Sequence, residues 1–277
     1  MSRAYPVQPC PDLNKLAIMQ AAPFQFYVWP QHLLMLGPGH ASGQHRHHAV
    51  QIAFGLDGPV TFESPHTGLL SADMLLVSPN TPHAHPAFGP LAFLYMYPES
   101  SEWLNFPGRE ERGLVPLTFN PQLRSFARRA AAGDAVAAES LVHDLIGQSP
   151  SPSLSDDALV SRAVTLIGRS LDGPITLAAV AKAMQRSPSR LAHRFREATG
   201  VPLRRYVLWC RLRTAAESAM RGASLTEAAH LAGFADSAHL SRTFRATSGV
   251  APSLLFKPGQ GNVTFCETDT HWSDPIK

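Results

Sequence analysis

A chain of 277 residues with 44% hydrophobic content has room for two cored domains. No run approaches the roughly 20 apolar residues of a membrane helix, and MSRAYPVQPCPDLNK has no basic stretch leading into an apolar one, so neither a membrane span nor an export signal is expected. The 3 cysteines, Cys10, Cys210 and Cys266, lie far apart and form neither a disulfide framework nor a CxxC zinc pattern, which fits a reducing cytoplasm; the small net charge of +3 hides an uneven distribution.

The first half predicts β structure. Short apolar runs (Val50–Leu56, Leu75–Ser78, Leu91–Tyr97) are broken by Gly37-Pro38-Gly39, Asp57-Gly58-Pro59 and Pro79-Asn80-Thr81-Pro82, a spacing that predicts a compact antiparallel barrel or sandwich. Histidines fall in two clusters, QHRHH (His45, His47, His48) and PHAH (His83, His85). Strand alternation puts His45 with His47, and His83 with His85, on single faces. Trp29, Phe54, Phe62, Tyr95 and Trp103 are candidates for an apolar pocket or for plain core.

The stretch from Gly39 through His45, His47 and Gln51 to Gly58 resembles the first cupin motif, and Asp73 through Pro79 to His83 resembles the second more loosely. The resemblance implies a cupin-like barrel in which His45, His47, Gln51, His83 and Tyr95 border an effector cavity. His45, His47 and His83 could offer imidazoles to Zn, Fe, Ni or Cu. Gln51 stands where metal-binding cupins have Glu, and a neutral amide is a poorer ligand than a carboxylate. No cofactor is therefore expected, and hydrogen bonding or a structural role stays open beside metal binding.

From Pro121 the composition turns to Arg, Ala, Leu and Val, and residues 121–147 predict a helical hairpin divided near Gly133-Asp134. Its apolar stripes (Leu123, Phe126, Leu141, Val142, Leu145, Ile146) can pack on their own barrel or on a second copy. The proline-bearing stretch around Gln148–Ser153 predicts a linker over 148–156.

Residues 158–257 carry 15 Lys+Arg against 5 Asp+Glu, a balance of +10, while residues 1–157 stand at −5. The same basic region repeats itself: Leu191, Phe195, Arg196, Gly200 and Val201 recur as Leu240, Phe244, Arg245, Gly249 and Val250. Upstream, Leu177–Met184 aligns with Thr226–Gly233. Each copy runs from an Ala-rich helix, with Thr176 or Ser224 as N-cap, through a tight turn into a helix bearing Ser, His and Arg. That is the layout of a helix-turn-helix, and coincident positive charge points to double-stranded DNA. The wet face of the first unit offers Ser189, Arg190, Ala192, His193 and Arg194; the second offers Ser237, Ala238, His239 and Arg242. Arg242 can bond guanine bidentately, whereas the histidines suit a base or a phosphate. Pro202–Met220 predicts one connecting helix of roughly 28 Å, close to the roughly 34 Å major-groove repeat, with Arg204, Arg205, Arg211 and Arg213 available for phosphates.

GFADSAHLSRTFRATSGVAPSLLF resembles the signature of the AraC/XylS transcription regulators, and the likeness extends over about 100 residues from Asp157 to Lys257. The resemblance implies an α+β chain of two domains: a cupin-like antiparallel β-barrel with helical hairpin (1–147), then an all-α domain of two helix-turn-helix units joined by a long helix (157–258) and a tail (259–277). It also implies a bacterial, cytoplasmic, nucleoid-associated regulator that acts as a homodimer, binds a small-molecule effector and contacts RNA polymerase where it activates. Base contacts fall on Ser189, Ala192, His193, Ser237, Ala238, His239 and Arg242. Many members carry Arg in place of His193. The alternative is a cupin metalloenzyme or metal sensor fused to a DNA-binding domain; no Walker loop, nucleophile elbow or supported Cys/His pair favours an enzyme.

Overall fold

The computed structural model describes residues 23–86, 89–147, 158–171, 173–257, 259 and 261–266; the expected 148–156 linker lies outside the described residues. The strands are β1 (Phe24–Val28), β2 (His32–Gly37), β3 (Ser42–His45), β4 (Val50–Gly55), β5 (Val60–Ser64), β6 (Gly68–Ala72), β7 (Met74–Val77), β8 (His83–His85), β9 (Leu91–Met96) and β10 (Leu114–Pro116). With β11 (Gly261–Phe265) they form a 7-stranded sheet ordered β10-β7-β4-β9-β2-β1-β11 facing a 4-stranded sheet ordered β3-β8-β5-β6. A short helix α1 (Ser101–Leu104) precedes β10, and the hairpin α2 (Gln122–Ala131) and α3 (Ala135–Ile146) follows it.

The central strands read as unbroken apolar runs because both faces of the larger sheet are covered. Leu34, Leu36, Ile52, Phe54, Leu76 and Leu94 turn outward onto Leu123, Ala127, Ala130, Ala138, Leu141 and Val142 of the hairpin. Met35, Ala53, Leu75 and Phe93 turn inward toward Phe62 of the smaller sheet. The hairpin therefore spends its apolar stripe on its own barrel, and the Tyr27 hydroxyl seals the contact by donating to the Ala130 carbonyl at 2.8 Å. Packing on its own barrel is thus one of the two expectations that the chain fulfils. Trp103 and Phe54, candidates for a pocket, belong to this outer core.

The helical domain comprises α4 (Ala158–Gly168), α5 (Leu177–Ala183), α6 (Pro188–Thr199), α7 (Leu203–Met220), α8 (Leu225–Leu231), α9 (Ser237–Ser248) and α10 (Pro252–Leu255). Helix α7 serves two cores. Leu203, Tyr206, Val207 and Cys210 pack with α4, α5 and α6, while Leu212, Ala215 and Ala219 pack with α8 and α9. Pro202 caps α7 from outside and does not enter its first turn. At 18 residues α7 is about 27 Å long.

The repeat is less regular than one offset implies. The caps Thr176 and Ser224 are 48 residues apart, but Pro188 and Ser237, which open the second helices, are 49 apart. Both turns pass through a left-handed residue, Gln185 (φ 54°) and Gly233 (φ 71°), and close with Arg186 N–H donating to Ala181 O and Phe234 N–H to Ala229 O. The added residue is Ala235, between that closure and the cap Asp236.

The segment read as a tail begins with a strand. β11 lies parallel to β1, from Phe24 opposite Gly261 to Val28 opposite Phe265, while the other strand pairs described are antiparallel. A parallel partner requires a long crossover, and here it comprises the rest of the barrel, the hairpin and the helical domain.

Candidate functional site

Each unit presents its second helix by local means. Ser187 accepts from Arg190 N–H (3.3 Å) at the start of α6, and Asp236 accepts from His239 N–H (2.6 Å) at the start of α9. Leu191 and Phe195, like Leu240 and Phe244, are buried. Ser189, Arg190, His193, Arg194, Ala238, His239 and Arg242 are consequently exposed, with Ala192 and Ser237 half-buried. Arg194 pairs with Glu197 at 2.9 Å. The Asp236 carboxyl is held below its usual range, first by the His239 amide and further by Arg242.

Arg204 and Arg205 are exposed in the first turn of α7. The other two phosphate candidates on this helix are engaged elsewhere. Arg211 Nη2 donates to the Gly173 carbonyl at 2.6 Å, and Arg213 lies over the Tyr97 ring (5.1 Å to its centroid) with Glu217 at 3.5 Å. Both side chains tie α7 to its surroundings, so the expectation of phosphate contacts from Arg211 and Arg213 is corrected.

Behind α9 lies a cavity of about 180 Å³. One wall is barrel, including Phe24, Phe26, Trp29, Phe62, Phe93 and Tyr95; the other is helical, including Leu212, Ala216 and Met220 of α7 and Phe244 of α9. The expected residues His45, His47, Gln51, His83 and Tyr95 all border it, joined by His32 and His85. Arg213 and Glu217, paired with each other, supply the formal charges of the lining among the described residues.

The histidines are arranged alike. Nδ1 of His45, His47, His83 and His85 lies 2.8–2.9 Å from the carbonyls of Gly43, Ala49, Thr81 and Thr61 respectively. A carbonyl only accepts, so Nδ1 carries the proton. Burial pushes His47 down to about 4 and His83 down to about 2, with neighbouring imidazoles adding to both, and it lowers His45 and His85. The rings are therefore neutral near pH 7, each with an unprotonated Nε2, which at His83 and His85 is buried without a partner. Gln51 Oε1 is placed 3.0 Å from His47 Nε2; that contact is a hydrogen bond only when the carboxamide turns its NH2 there. His47 itself lies beyond the end of β3, so it joins His45 at the cavity through a loop and not by strand alternation.

His48, the remaining member of the first cluster, faces the helical domain instead. Its Nε2 donates to Glu99 at 3.2 Å, and the Tyr206 hydroxyl of α7 donates to the same buried carboxylate. Burial raises the Glu99 pKa, but these two donors outweigh it and the net shift is downward. The sequence signalled His48 through its cluster; it held no sign of Glu99 or Tyr206 as partners.

Residues 180–257 match the helix-turn-helix domain family. This segment is therefore a helix-turn-helix domain, in agreement with the two helix pairs of the repeat. The whole two-domain fold is similar to that of ToxT from Vibrio cholerae: an apo variant superposes with TM-score 0.56 at 12% identity, over 83% of this chain and 99% of that one. ToxT bound to an unsaturated fatty acid, and ToxT bound to a methylnaphthalenyl butenoic acid, each give TM-score 0.53 at 11% identity, over 83% of this chain and 97% of that one. At such identity the likeness is one of fold. No curated protein sequence matches the chain. No helix among the described residues is long and apolar enough to cross a membrane.

Proposed function

We propose that the protein is an effector-controlled transcription regulator, reading successive major-groove segments with α6 and α9 and changing its hold on DNA when a small molecule fills the cavity. The position of that cavity carries the reading, because its occupant touches the barrel and the DNA-binding domain at once. An apolar acid is the favoured effector class, supported by the ligands of the ToxT complexes and by the aromatic and aliphatic lining here. Bases fall to Ser189, Ala192, His193, Ser237, Ala238, His239 and Arg242; phosphates fall to Arg190, Arg194, Arg204 and Arg205. A homodimer on paired half-sites, a bacterial cytoplasmic setting and RNA polymerase as partner at activated promoters complete the reading, resting on the AraC/XylS resemblance. No catalytic step is part of it.

The test is a DNA site selected from random sequence with the full chain. Arg242→Ala should cost about 1–3 kcal/mol on that site and relax preference at one base pair. Arg204→Ala should weaken all sequences alike and flatten the salt dependence. Oleate should shift the affinity for the selected site. Equal losses by Arg242→Ala on selected and random DNA would sink the base assignment, and indifference to oleate would sink the effector class.

A further inference from the structure

We infer that the histidine end of the cavity selects an effector that presents an uncharged hydrogen-bond donor, a hydroxyl, on an apolar body. This end holds a surplus of acceptors. Nδ1 of His83 and of His85 is spent on the carbonyls of Thr81 and Thr61, each at 2.8 Å. Both rings are buried, both border the cavity, and both keep Nε2 without a partner. One ring nitrogen from each of His45, His47 and His83 also lies within 4.8 Å of the other two, and the His45 and His83 ring centroids are 4.2 Å apart. Lone pairs gathered in this way are unfavourable in a buried setting until a donor reaches them.

The rings cannot relieve the surplus themselves. Turning either one over would trade one unpartnered nitrogen for another and strand the Thr81 or Thr61 carbonyl. The walls around them are apolar: the Phe62 ring lies 5.6 Å from His83 and 5.0 Å from His85, and Phe93 lies 5.9 Å from His85. A ligand that displaces solvent from such a place must supply donors in its stead. A carboxylate would add acceptors to an end already rich in them. An ammonium would supply donors, but its charge would be buried without a free counter-ion among the described lining residues, because Glu217 is paired with Arg213 at 3.5 Å. A hydroxyl brings the donor and no charge.

The same end touches the reader. Gly43, whose carbonyl anchors His45, donates its N–H to the Gly249 carbonyl at the end of α9 (3.3 Å). An occupant held by the histidines therefore sits beside the strand that meets α9. The inference rests on the effector reading of the cavity for its regulatory consequence and narrows the effector class: an apolar acid enters with its carboxylate away from the histidines and a hydroxyl toward them.

The experiment titrates the full chain by calorimetry with ω-hydroxydecanoate and with decanoate, which differ by the hydroxyl alone. The hydroxy acid should bind about tenfold tighter or more, because the plain chain leaves the buried acceptors unmet. His83→Phe, apolar and of similar size, should abolish that preference. Nitrogen NMR of the wild type guards against a variant that fails to fold: the Nε2 resonances of His83 and His85 should move further with the hydroxy acid than with decanoate. Equal affinities for the two acids, failure of the hydroxy acid to bind, or resonances that respond alike to both overturn the inference. DNA affinity separates it from the proposed function. Preferential binding that leaves the affinity for the selected DNA site unchanged sinks the effector reading alone, and equal binding that shifts that affinity sinks only the hydroxyl selection.

Discussion

The two helix-turn-helix units share a sequence plan but differ in what holds them. Helix α6 packs on α4, α5 and α7, whereas α9 packs on α8 and α10 and also against β3 of the barrel. The terminal glycines make the contrast sharp. Gly200 and Gly249 both end their helices at φ 74°, yet a Cβ on Gly200 meets nothing within 4 Å, while one on Gly249 comes within 2.6 Å of His45 Nδ1 and 2.8 Å of the Gly43 carbonyl. The same local motif can therefore be left free or clamped against the barrel, depending on what the rest of the chain brings against it. The N-caps differ too: the first recognition helix begins at neutral Ser187 and the second at Asp236, whose charge tempers the basic face around Arg242.

Acid should break the comparison most strongly. Burial holds the barrel residues His32 and His47 at about 4 and His83 at about 2, against 6.5 in the unfolded chain. As pH falls below 6.5 the unfolded chain takes up protons first. Stability is thus complete above that value and declines toward pH 4, by about 1.4 kcal/mol per pH unit for each such histidine. Urea midpoints at about pH 7.5 and about pH 5, followed by the fluorescence of Trp29 and Trp103, should show the barrel weakening ahead of the helical circular dichroism. Coincident, unshifted transitions would contradict this.

Next in size is Glu99→Ala, which leaves His48 and the Tyr206 hydroxyl without their shared acceptor at the junction of barrel and first unit. A loss of about 3–5 kcal/mol is expected in denaturant titration, since breaking a buried pair on one side strands its partner. A loss below 1 kcal/mol would mean that this junction is not a firm attachment.

The smallest effect is the sharpest discriminator. Gly200→Ala should cost about 1 kcal/mol, from the left-handed backbone alone. Gly249→Ala should cost more and should also speed hydrogen exchange at the Gly43 amide, because its methyl group collides with β3. Identical behaviour of the two variants would remove the distinction between a free unit and a clamped one.

Much of this molecule was legible beforehand because its signals are local. Thr176 accepts from Ala179 N–H, and Ser224 with Glu227 forms a reciprocal capping box, as the positions of these residues before Ala-rich stretches implied. Burial of Leu191 and Phe195, and of Leu240 and Phe244, each pair one helical turn apart, exposed the expected faces. The extra residue Ala235 was hidden because similarity of composition does not reveal where a turn closes.

By itself the sequence determined the two classes of structure, the repeated motif, the basic domain and the histidine cluster, since periodicity, caps and charge act within a few residues of their origin. Only the tertiary structure decided that Arg211 reaches Gly173 and Arg213 the Tyr97 ring, that Glu99 joins His48 to Tyr206, and that β11 returns to pair with β1. These contacts join residues far apart in the chain. They depend on relative placement of domains, a long-range packing outcome that no local pattern of side chains encodes.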